Sequence, residues 1–131
     1  MTAAFLRAVV DTLLPADDAL PSGTEAGVTR ALGDADVRHV LEAIAARSGG
    51  EASFVAADEP TRVAMLQAVE QGEGPAFERM IVLLLADYCE AESVLRAFGW
   101  RTDPPQPRGF ELPPFDETVL AKAKQRGRIW R

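Results

Sequence analysis

An all-α fold, a small helical bundle around one long central helix, is what this sequence predicts, on three observations. Apolar residues recur every three or four positions through most of the first 98 residues. No stretch alternates apolar and polar residues as a half-buried strand would. Glycine or proline stands at the end of nearly every periodic segment, where helices stop.

The first segment places Phe5, Leu6, Val9, Val10, Leu13 and Leu14 on one helical stripe, with Arg7 and Asp11 away from it. Pro15 ends that helix, because a residue before proline is pushed out of the α region. After the loop PADDALPS, the run Ser22-Gly23-Thr24-Glu25 has capping-box form and predicts a short helix to about Leu32, stopped by Gly33. Asp34 caps the next helix, whose stripe is Val37, Val40, Leu41 and Ile44, and Ser48-Gly49-Gly50 closes it. A further helix starts at Asp58-Glu59-Pro60, carries Val63, Leu66 and Val69 with Met65 beside them, and ends at Gly72.

Pro75 opens the longest predicted helix, which runs to Phe98 before Gly99. From Phe77 to Leu85 it is apolar nearly all round, as suits a helix central to a bundle. Tyr88, Val94, Leu95 and Phe98 are expected to continue its apolar contacts, while Asp87, Glu90 and Glu92 make its second half acidic. The composition then changes. Residues 102–115, TDPPQPRGFELPPF, hold five of the nine prolines and exclude helix or central strand. Trp100, Phe110, Leu112 and Phe115 are interleaved with those prolines, so the stretch reads as an extended docking arm: proline-stiffened chain loses less entropy when it settles on a surface. Asp116 caps a last helix with Val119, Leu120 and Ala123 on one side. The expected organisation is a bundle domain over 1–99 and a docking arm with a terminal helix over 100–131.

Composition limits the function classes. Hydrophobic residues are 47% and charged ones 26%, which excludes wholesale disorder. The net charge of −6 disfavours nucleic acid as the main partner. Residues 1–95 carry six Arg/Lys against sixteen Asp/Glu, whereas residues 96–131 carry eight against four. A basic segment following an acidic body suits docking on an acidic surface. The longest apolar run, Met80 to Ala86, is far shorter than the ~20 residues of a membrane span. No basic leader or twin-arginine pair precedes the first helix, so the expectation is a cytoplasmic protein.

Few residues suit chemistry. One cysteine excludes a site built on several thiolates, and one histidine leaves little for acid–base work. Asp17, Asp18 and Glu25 lack the spacing of a calcium loop and read as turn acids. Gly72-Glu73-Gly74-Pro75-Ala76-Phe77 has no third glycine and no preceding strand, so it reads as a helix–helix turn, not a dinucleotide loop. His39 reads as a boundary residue without a nucleophile to serve. Cys89 reads as a small buried hydrophobe, its acidic neighbours opposing a thiolate. The tail KAKQRGRIWR fits an anchor better than a solvated helix end, because tryptophan and arginine are enriched at interface hot spots.

These residues resemble a known family. The order LLPADD, PSGTEAGV, LLLADYCE and LRAFGWRTDPPQPRGFELPPFD is similar to the gluconate 2-dehydrogenase subunit 3 family, over nearly the whole chain. The most specific part is Gly99-Trp100, then Pro105-Gln106-Pro107 and Gly109-Phe110. The resemblance implies a small, cofactor-free, non-catalytic subunit that accompanies a large FAD-dependent oxidoreductase of the glucose–methanol–choline type and helps it fold, stay soluble or be exported. Flavin and substrate chemistry would then belong to the large subunit. In several such systems a twin-arginine signal and a cytochrome c partner complete a membrane-attached complex. This sequence shows no such signal, which favours a cytoplasmic pair acting on sugars or glycosides; a periplasmic location is the alternative if the partner carries the signal.

Two function classes follow as expectations. The first is an accessory subunit of an FAD-dependent sugar or alcohol dehydrogenase. Trp100, Pro105, Gln106, Pro107, Gly109, Phe110, Phe115 and Trp130 would lie against the partner, and Arg101, Arg108, Arg126 and Arg128 would pair with its acids. The alternative is a free-standing helical adaptor whose basic tail binds an anionic surface or nucleic acid. No catalytic, cofactor-binding or metal-ligating residue is expected in this chain.

Overall fold

The sequence patterns become six α-helices in a computed structural model that describes residues 1–103 and 115–126, with no strand among them. Helix α1 (Ala3–Leu13) starts at Thr2, whose hydroxyl accepts from the Phe5 amide, and stops before Pro15. It buries Phe5, Val9 and Val10. Helix α2 (Ala35–Arg47) is capped by Asp34, which accepts from the Asp36 amide at 2.9 Å. All four residues of its predicted stripe, Val37, Val40, Leu41 and Ile44, are buried. Gly49 ends it at φ +76°, a left-handed conformation open to a residue without Cβ, and the Gly50 amide closes back on the Ala45 carbonyl.

The chain then restarts at once as α3 (Glu51–Ala56), an element the sequence reading lacks. Its core residue, Phe54, is fully buried and meets Phe5 edge-to-face, with ring centroids 5.6 Å apart. Arg62 satisfies its open end by donating to the carbonyls of Phe54 and Val55.

Helix α4 (Glu59–Cys89) joins two predicted helices into one of 31 residues. Asp58 caps it as expected, accepting from the Thr61 amide. Where the glycines and Pro75 predict a turn, only Glu73 leaves helical geometry, at φ −115° and ψ 28°, and α4 kinks there. Proline is tolerated in the first turn of a helix, so the second half starts on Pro75 directly after the kink. Leu66, Val69, Phe77, Met80, Leu84 and Tyr88 face the core, and α2 against α4 is the most extensive helix pairing. The helix ends at Cys89, not Phe98. After Glu90 and Ala91 a separate α5 (Glu92–Ala97) begins, burying Val94. A 3-10 turn over Glu117–Leu120, capped by Asp116, leads into α6 (Ala121–Arg126).

The predicted helix from Ser22 to Leu32 does not form. The capping box itself is present, with the Glu25 amide donating to Ser22 Oγ at 3.2 Å and the Ser22 amide donating to Glu25 Oε2 at 2.9 Å. It closes a single turn, which Gly27 ends at φ +81°. Only a 3-10 turn over Ala31–Gly33 follows. The loop's backbone donors instead go to side chains far away in sequence. Asp11 accepts from the Thr24 amide, and Asp87 Oδ2 lies 2.9 to 3.3 Å from the amides of Thr29, Arg30 and Ala31. Tyr88 donates to the Pro21 carbonyl at 2.7 Å.

Candidate docking surface

The end of α5 is built to a fixed geometry. Gly99 adopts φ +73°, its amide donates to the Arg96 carbonyl, and the Trp100 amide reaches back to the Leu95 carbonyl at 2.9 Å. This paired closure is the Schellman arrangement, and it sets where the chain leaves the helix. Glu92 strengthens the exit by pairing with Arg96 and accepting from the Thr102 hydroxyl.

At that exit two large rings face solvent. Phe98 is 60% exposed, which corrects the expectation that it packs into the bundle, and Trp100 is 69% exposed. Phe115, where the described chain resumes, is 71% exposed. Arg101 and Arg126 are exposed. Pro105, Gln106, Pro107, Arg108, Gly109, Phe110, Arg128 and Trp130 lie outside the described residues.

A second apolar surface was not legible in the sequence. The stretch Phe77–Leu85, apolar apart from Glu78 and Arg79, is not buried all round. Val82 is 59% exposed and Leu85 43%. Spacings of three and four residues put Val82, Leu85 and Cys89 on one face of α4. Cys89 is exposed there, not the buried hydrophobe expected. Beside Val82, Pro75, Glu78, Arg79 and Leu83 line a cleft of about 310 Å³.

Several polar side chains hold backbone or tie elements together. Asp17 accepts from the amides of Ala19 and Leu20, both at 2.7 Å, and these bonds hold its carboxyl below the ordinary range. Hydrogen bonding from Thr118 does the same for Asp116. Burial, with the nearby charge of Asp17, pushes the Tyr88 phenol up. His39 Nε2 lies 3.2 Å from Glu73 Oε2, which links α2 to the kink of α4. Among the described residues no group of three or more His, Cys, Asp or Glu is placed to hold a metal ion. No described helix is long and apolar enough to cross a membrane.

The architecture is therefore that of a small all-α protein with exposed aromatic rings at the end of a fixed helix. Comparison with known proteins adds no relative: no family model, no curated protein and no solved structure matches the chain.

Proposed function

We propose that this chain is a non-catalytic accessory subunit that docks on, and stabilises or matures, a large FAD-dependent sugar or alcohol oxidoreductase. The observation that carries the docking half is the pair Phe98 and Trp100. Two large rings stand in solvent next to a helix end that hydrogen bonds hold in place. Aromatic groups presented on a fixed frame lose little entropy when a partner covers them, and such residues dominate interface energetics. Arg101 beside Trp100 supplies a guanidinium for partner carboxylates. The flavoprotein identity of that partner is supported by the motif resemblance of Gly99-Trp100, Pro105-Gln106-Pro107 and Gly109-Phe110. FAD would belong to the partner, and a cytoplasmic pair is the simplest arrangement.

A pull-down of the tagged full-length chain from its native cell tests this reading. The expected result is co-purification of a larger polypeptide with flavin absorbance, lost with the Phe98→Ala/Trp100→Ala double variant. Recovery of nucleic acid alone, with binding that weakens steeply as salt is added, would replace it with the polyanion-binding adaptor.

A further inference from the structure

The loop 22–34 covers α1 in an unusual way. Ala3, Leu6, Arg7 and Val10 lie at positions i, i+3, i+4 and i+7 and form one face of the helix. Thr24, Val28, Thr29 and Leu32 of the loop stand opposite. Between them is a cleft of about 280 Å³. Val10 and Val28 lie buried beneath it, and the half-buried Leu6 and Leu32 supply its accessible apolar walls.

Two anchors hold the loop on either side of this cleft. At one end Gly23 sits so close to α1 that a Cβ there would lie 2.5 Å from Val10 Cγ1, and Asp11 accepts from Thr24. At the other end Asp87 gathers the amides of Thr29, Arg30 and Ala31. The cleft walls are thus set before any ligand arrives, which reduces the ordering cost of binding.

The polar side chains on the cleft are one guanidinium and two hydroxyls. Arg7 is exposed, and among the described residues no carboxylate lies within 4.0 Å of its guanidinium. Asp11, one turn on, is engaged with the Thr24 amide. Thr24 and Thr29 add hydroxyl donors. A guanidinium favours a planar carboxylate, which it can bind through two parallel hydrogen bonds.

We infer that this cleft binds a short aliphatic monocarboxylate, its hydrocarbon chain between Leu6 and Leu32 and its carboxylate on Arg7. The volume falls just below the roughly 300–1,000 Å³ of drug-sized ligand sites, which restricts the occupant to a short chain. The cleft shares no residue with the aromatic segment, so failure of docking in the Trp100 variant leaves it intact.

NMR titration of the full-length chain with butanoate, hexanoate, hexanol and hexylamine is the test. Hexanoate should give saturable shifts at Val10, Val28, Thr29 and Leu32, and affinity should rise about fourfold per methylene from butanoate. Arg7→Gln, an exposed change, should weaken hexanoate about tenfold and leave the spectrum folded. Hexanol binding as tightly as hexanoate, an Arg7→Gln variant with unaltered affinity, or no saturable shift at those four residues would each overturn the assignment.

Discussion

Between residues 15 and 34 side chains tie the backbone down, whereas at Phe98 and Trp100 the chain turns aromatic rings to solvent. In the first region Asp17 closes its own turn, Glu25 and Ser22 cap each other, and Asp11, Asp87 and Tyr88 reach in from α1 and α4. A segment with almost no regular structure is thereby tied to the bundle, because side chains supply partners for its amides and for the Pro21 carbonyl. In the second region hydrogen bonds also fix the backbone at Gly99, yet Phe98 and Trp100 stay largely exposed among the described residues. The contrast separates two uses of order. One completes the fold, and the other presents a surface.

The comparison breaks most severely if the shared core fails. Phe54→Ala removes a fully buried ring and its edge-to-face contact with Phe5. The expected loss is about 3–5 kcal/mol, read as a lower urea midpoint at unchanged slope. A loss below about 1 kcal/mol would show that α3 contributes little to the bundle.

Asp87→Ala is the next largest effect. It takes the acceptor from three amides of the loop and one partner from Arg30. The Thr29 and Arg30 amides are exposed and can turn to water, so the loss is about 1–2 kcal/mol, and amide exchange at Thr29, Arg30 and Ala31 should accelerate. Glu90→Ala is the control. That carboxylate also pairs with Arg30, but at the exposed surface, where such pairs contribute ~0–1 kcal/mol. Equal losses for the two variants would mean that the loop is held by charge pairing and not by amide capture.

Tyr88→Phe should cost about 1 kcal/mol, because the Pro21 carbonyl loses its donor. It also carries a pH signature. The folded phenol is pushed up, chiefly by burial, so the unfolded chain ionises first as pH rises. Stability is therefore complete below the ordinary tyrosine value of about 10 and declines above it. The phenylalanine variant should flatten that alkaline decline.

What the sequence disclosed follows the range of the interactions. Helices α1 and α2, the caps Asp34, Asp58 and Asp116, and the stops at Pro15, Gly49 and Gly99 depend on neighbours within four residues, and each stands where the pattern put it. Helix α3 was hidden because it is six residues long, begins directly after a double glycine, and is closed by Arg62 from the following helix. The loop's clasp by Asp87 spans 56 to 58 residues, and no spacing rule reaches that far. Periodicity correctly marked Val82, Leu85 and Phe98 as apolar helical positions. It could not distinguish a face that meets the protein's own core from one that meets another molecule, since both need the same side chains.

Trp100→Ala is the smallest expected change in stability and the one that most sharpens the contrast. At 69% exposure the indole gives little to the folded chain, so the urea midpoint should move by less than about 0.5 kcal/mol. The Schellman closure uses the Trp100 amide, not its ring, and survives the substitution. Partner capture should nonetheless fall at least tenfold, as truncation of a central aromatic anchor does. If stability drops with capture intact, the indole belongs to the fold and the two regions are not different in kind. If capture drops with stability intact, order at Gly99 exists to aim the ring outward.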